Sequence, residues 1–96
     1  MDDFSWRVLS VVARRGYLGA TREDFFSEIR GVQYKALEEE LRALESEGHI
    51  EIEWTGPNKF IVTTTPEGSQ IVADEYKERM KKYEEKVKEQ EASQSE

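Results

Sequence analysis

Lys35 and Arg42 stand seven residues apart in GVQYKALEEELRALESEGHI, residues 31–50. An α-helix turns about 100° per residue, so that spacing puts both cations on one side. Cations presented together on a helix meet the phosphates or carboxylates of a partner. The same stretch carries five glutamates, Glu38, Glu39, Glu40, Glu45 and Glu47, which repel a polyanion. The helical wheel separates the two sets. Tyr34, Leu37, Leu41 and Leu44 step by three and four and define an apolar stripe. Opposite that stripe lie Val32, Lys35, Ala36, Glu39, Arg42, Ala43 and Ser46, a ridge with two cations and one acid. Glu38 and Glu45 fall on one shoulder of the ridge, Glu40 and Glu47 on the other. The i,i+4 pairs Glu38–Arg42 and Lys35–Glu39 offer local neutralisation of about 0.2–0.5 kcal/mol each. The competing reading is a solvated helix whose outer face contacts nothing.

Bond-making chemistry finds little support. His49 is the only histidine, and no partner stands at the spacing of a metal site or a general base. There is no cysteine, no glycine-rich phosphate loop and no serine–histidine–acid arrangement. The expectation is no enzyme, no metal and no cofactor. Trp54 and Phe60 are expected in the core rather than as a stacking platform.

The elements that position the ridge follow from the pattern of the chain. Asp2 or Asp3 caps a first helix running to about Arg15, with Phe4, Val8, Leu9 and Val12 at helical spacing. Gly16 stops it, and YLGA bridges to a second helix in TREDFFSEI, where Thr21 and Asp24 have capping-box spacing. Phe25, Phe26 and Ile29 form its buried side, and Gly31 turns the chain into the third helix, which Gly48 ends. HIEIEW then alternates with a period of two; TGPN is a turn, and KFIVTT is the returning strand of a two-stranded hairpin. Thr65 caps the last helix with Pro66 at its first position. That helix is expected to reach about Gln90, roughly 37 Å at ~1.5 Å per residue.

A chain of 96 residues fits one small domain with an appendage, and no internal repeat is present. The net charge of −7 argues against indiscriminate nucleic-acid binding, which needs clustered cations. The absence of cysteine suits a reducing compartment, and MDDFSWRVL lacks the basic and apolar parts of a secretory signal. No apolar run approaches the ~20 residues of a membrane span. A cytoplasmic location is therefore expected.

The stretch TREDFFSEIRGVQYKALEEELRALESEGHIEIEW, followed by KFIVTTTPEGSQIV, resembles the winged helix-turn-helix transcription regulators. It looks most like the MarR- and PadR-type families and the small archaeal DNA-binding proteins with a C-terminal coiled coil. The step LESEGHIE from third helix to hairpin and the TPEG opening of the last helix carry the likeness, which spans about residues 4–75. The resemblance implies a mainly α fold with a small β-hairpin, in the order α-α-α-β-β-α. It also implies double-stranded DNA as partner, the third helix in the major groove and the hairpin on the backbone. By position those roles fall on Gln33, Lys35, Ala36, Glu39 and Arg42, with Asn58 and Lys59 at the hairpin tip. Arg22 and Arg30 are further candidates for phosphate contact. The acidity of the third helix departs from the family. An alternative is a module of the same fold that binds a protein within a larger assembly.

After Val72 the last helix places Ala73, Tyr76, Met80, Tyr83, Val87 and Gln90 at alternating steps of three and four, a coiled-coil seam. The expectation is a homodimer built on Ala73, Tyr76, Met80, Tyr83 and Val87, helped by Phe4 and Trp6. The chain then divides into a reading domain (1–65), a dimerisation helix (66–91) and a frayed tail (92–96).

Overall fold

In the computed structural model the backbone is described for residues 1–94 and the side chains for residues 1–85. Helix α1 spans Asp3–Arg15, and the Asp2 carboxylate accepts the Ser5 N–H at 2.8 Å to cap it. That backbone hydrogen bond holds the Asp2 carboxyl below the usual aspartate range. A depressed carboxylate pKa stabilises above its unfolded value, so this cap loosens only as the pH falls into the acid range. A 3-10 turn, Gly16–Leu18, leads into a two-residue strand, β1, at Ala20–Thr21. Helix α2 (Arg22–Glu28) opens with Asp24 accepting the backbone N–H of Thr21 at 2.8 Å, the return half of the expected capping box. Helix α3 (Tyr34–Ser46), strands β2 (Ile50–Gly56) and β3 (Lys59–Thr64) and helix α4 (Pro66–Gln94) complete the described chain.

The fold is α+β: four helices and one small antiparallel sheet of strand order β1-β3-β2. The expected hairpin forms as β2 and β3, and the sheet it belongs to has a third strand that the pattern of the chain did not announce. Ala20 pairs with Val62 and Thr21 with Ile61, so the end of the YLGA bridge and the residue after it add a third strand to the free edge of β3. In the hairpin, Ile52 pairs with Val62 and Trp54 with Phe60, with an irregularity between Trp54 and Gly56 at the tip.

One apolar core holds these elements together. Val8, Leu9, Val11 and Val12 of α1 meet Phe25, Ile29, Leu37, Leu41 and Leu44 of the next two helices and Ile50, Phe60 and Val62 of the sheet. Burial of side chains this size is worth roughly 1.5–3 kcal/mol each before entropy is counted. Two residues depart from the expected stripes. Phe26 is 37% exposed, because Phe25 and Ile29 already occupy the inner side of the short α2. Trp54 is 43% exposed although its strand partner Phe60 is buried, because it lies on the outer strand of the sheet near the tip. Its ring still packs edge-on against Phe60, at 5.5 Å between centroids.

The two ends of α3 and α4 meet at a single joint. Gly48, at φ +81°, donates to the Glu45 carbonyl at 3.0 Å, and His49 N–H donates to Leu44 O at 3.0 Å. These are the paired bonds of a Schellman stop, which requires a residue at ease with positive φ. Thr65 fastens α4 to that stop. Its hydroxyl donates to Gly48 O at 2.6 Å and accepts the Gly68 N–H at 3.0 Å, while its own N–H donates to His49 O at 3.1 Å.

From there α4 runs out of the body. The molecule measures 60 × 28 × 21 Å, and the long dimension belongs to this helix, which continues to Gln94 rather than stopping near Gln90. Ile71 and Val72, just before the seam, pack on the core of their own chain. Residues Ser95 and Glu96, the end of the expected tail, lie outside the described residues, as do the side chains of Val87 and Gln90.

Candidate nucleic-acid interface

The ridge of α3 forms because its other side is fully spent. Leu37, Leu41 and Leu44 are buried, so Lys35, Ala36, Glu39, Arg42, Ala43 and Ser46 are turned outward and exposed. Val32 is a correction. It precedes the helix, whose N-cap Gln33 is extended (φ −101°, ψ 144°), and its half-buried side chain packs on the core.

Three of the four shoulder glutamates are fasteners of the helix. Glu38 accepts from Arg42 at 3.0 Å, and Glu40 accepts the Ser5 hydroxyl of α1. Glu45 accepts the Ile52 N–H of β2 at 3.3 Å; Glu47 lies 3.2 Å from His49 Nδ1 without a hydrogen bond between them. Each shoulder thus joins α3 to what lies beside it. Glu39 alone of the five makes no such contact among the described residues.

Arg42 is less free than the ridge position implies. Its guanidinium holds Glu38 and stacks over the Trp54 ring at 5.3 Å, tying α3 to the hairpin. A cation over an aromatic face is worth about 0.5–1 kcal/mol at an exposed site. Lys35 makes no ion pair among the described residues, and the expected Lys35–Glu39 pair is not formed.

Chain comparisons add no relative. No family model, no curated protein and no solved structure matches this sequence. The geometry therefore stands by itself.

Further cations gather at the N-terminal end of α3. Arg22 lies against the rings of Phe26, at 5.4 Å, and of Tyr34, at 5.1 Å, beside Lys35 in the chain. Arg30 and Gln33 are exposed in the turn before the helix. No side chain caps this end and no acid stands in its first turn, so its N–H groups keep their partial positive charge. At the hairpin tip Asn58, at φ +57°, and Lys59 are exposed, a single cation there. The structure brings Arg22, Gln33 and Lys35 to one end of α3, while Arg42 is committed elsewhere.

The residues assigned to self-association separate in the same way. Phe4 packs on the core of its own chain, and Trp6 lies under the Arg79 guanidinium at 5.0 Å. Ala73, Tyr76, Met80 and Tyr83 are exposed along α4. Sequence reading missed Arg79, which also reaches Asp3 at 3.4 Å and Glu75 at 3.0 Å and thereby clips α1 to α4. No cluster of metal-ligating residues occurs, and no helix is long and apolar enough to cross a membrane, among the described residues.

Proposed function

We propose that this chain is a homodimeric winged helix-turn-helix protein that binds double-stranded DNA as a cytoplasmic transcription regulator. In this reading the N-terminal half of α3 enters the major groove and the β2–β3 hairpin rests on the backbone. One observation carries it. The exposed ridge of α3 ends in a helix N-terminus without a side-chain cap, with Arg22 over the Tyr34 ring and Lys35 in the first turn, while four of the five glutamates are turned to the shoulders. Cations and free N–H groups at one helix end are the groups that hold phosphates. Ala36 and Ala43 are small enough for the ridge to approach base edges closely.

With a net charge of −7 and one cation at the hairpin tip, a single copy grips weakly. Two copies joined through α4 present two ridges to half-sites about one turn, ~34 Å, apart. The test is duplex DNA binding followed against salt. Affinity should fall linearly on logarithmic axes, about 0.9 per phosphate contacted. Lys35→Glu should remove measurable binding at ~150 mM salt and lower the slope by about 1 per lost contact. Lys35 is the diagnostic position because replacing Arg42 would also release Glu38 and Trp54. Wild-type binding that ignores salt, or a Lys35→Glu chain that binds as well as the wild type, rejects the proposal.

A second reading, a protein-binding module of the same fold, draws on a different observation: Glu39 stands on the ridge unpaired among the described residues, and Arg42 is held by Glu38 and Trp54. Absence of duplex binding even at low salt would favour it. Both readings keep the dimer. Met80 is 39% exposed, so Met80→Glu should leave the fold intact and sediment as a monomer where the wild type sediments as a dimer. An unchanged sedimenting mass removes the seam from the interface.

A further inference from the structure

We infer that Glu39 is the base-selecting side chain of the α3 ridge and that its carboxylate takes the exocyclic amine of a cytosine. This rests on the duplex binding proposed above and adds which base the ridge prefers. The starting point is an acid with no task inside its own chain. Glu38 holds Arg42, Glu40 accepts the Ser5 hydroxyl and Glu45 accepts the Ile52 N–H. Glu39 is exposed, and no hydrogen bond or ion pair engages it among the described residues. Its neighbours along the ridge are Ala36, one turn earlier, and Ala43, one turn later, both exposed. Glu39 is therefore the long side chain at the middle of an otherwise shallow surface. The nearest cations in the chain leave it alone. Arg42 is drawn to Glu38 and Trp54, and Lys35 does not pair with it. The carboxylate meets a partner with its charge uncompensated by its own side of the contact.

What such a group can bind in DNA is narrow. A carboxylate only accepts hydrogen bonds, and phosphate oxygens offer it none. Against the backbone it repels; among the bases it needs a donor. The major groove presents two, the amines of cytosine and of adenine. The adenine amine stands between two acceptors, N7 of its own ring and O4 of the paired thymine. The cytosine amine has an acceptor, guanine O6, on one side only, and the ring C5–H on the other. An acceptor-only side chain is therefore repelled less at cytosine. Arg22 and Lys35, at the start of α3, are left to hold phosphates, which fixes the helix on the duplex without choosing a sequence. Glu39 then discriminates twice, because it gains a donor at the right pair and faces only acceptors at a wrong one. An acid on the ridge lowers affinity for DNA at large and raises the contrast between sites.

Because Glu39 is exposed and holds nothing in its own chain, replacing it leaves the fold intact. Wild-type, Glu39→Ala and Glu39→Gln chains each select duplexes from a pool of randomised sequence. The affinity of each selected duplex and of its single-pair variants is then measured at one salt concentration. The expected wild-type result is a cytosine position in each half-site where any other base lowers affinity about 5–150-fold. In Glu39→Ala the change at that position should shrink to about twofold or less, with the dependence on salt kept, since the phosphate contacts remain. Glu39→Gln, whose amide both donates and accepts, should move the preference at that position to adenine. A Glu39→Ala chain with the wild-type preference at every position overturns the inference while leaving duplex binding. A lost preference that falls on a base other than cytosine, or a cytosine preference kept by Glu39→Gln, overturns it likewise, as does a wild type that binds every duplex equally. A wild type that binds no duplex even at low salt overturns it together with the proposed function.

Discussion

Replacing Phe25 by alanine should lower folding stability by about 3–5 kcal/mol, a large part of the ~5–15 kcal/mol a small domain possesses. Phe25 is fully buried, and its ring lies 6.1 Å from that of Phe60. It is the bolt between α2 and the central strand β3, and the chain has too small a core to close around the vacancy. The adjacent Phe26 is the internal control. It is largely outside the core and has the Arg22 guanidinium 5.4 Å from its ring, so Phe26→Ala should cost about 1 kcal/mol or less. Denaturant unfolding of both variants, read at the midpoint with the slope held common, makes the comparison. Equal losses at the two positions would mean that α2 does not present the face described.

That pair also shows where sequence alone stops. The α3 stripe was legible because Leu37, Leu41 and Leu44 repeat over more than two turns, and all three are buried. The caps at Asp2, Gly48 and Thr65 were legible because each needs a particular residue type at one place. Phe26 was not, since in a seven-residue helix one extra apolar residue does not shift the apparent face. Strand β1 was not, since two residues carry no period and their partner, β3, lies some forty residues on. Trp54 follows the alternation of Ile50 and Ile52, but alternation fixes a side of the sheet and not how far the cover extends. Val32 was assigned by continuing a helical wheel through Gln33, where the backbone is extended.

The ridge illustrates the same limit for function. Its direction followed from the stripe, and the separation of the glutamates onto shoulders followed with it. The commitment of Arg42 did not follow, because a long side chain reaches a shoulder acid and a hairpin ring that is distant in sequence. The uncapped N-terminus of α3, next to Arg22, is likewise a property of three-dimensional placement. These two features move the proposed contact from the middle of α3 toward its start.

Gly68→Ala tests the joint on which both helices depend, and here helix propensity and packing predict opposite signs. Alanine in place of glycine within a helix ordinarily gains up to about 1 kcal/mol. At Gly68 an added Cβ would lie 1.8 Å from the carbonyl oxygen of His49 and 2.8 Å from its carbonyl carbon, backbone atoms that cannot swing aside. The first turn of α4 must lift away from β2 to make room. Lifting it stretches the bonds of Thr65 to Gly48 O and His49 O, each worth about 1 kcal/mol, on top of overpacking strain of about 1–3 kcal/mol. The expected net loss is about 3 kcal/mol, against nearly none for Gln70→Ala on the exposed side of the same helix. A Gly68→Ala chain as stable as the wild type would contradict the close approach. Because Gly48 and His49 also end α3, the altered joint should change the angle between the exposed ridge and the long helix. In the proposed dimer two ridges keep a fixed separation only while that angle is fixed, so the glycine that admits contact here would govern spacing as well as stability.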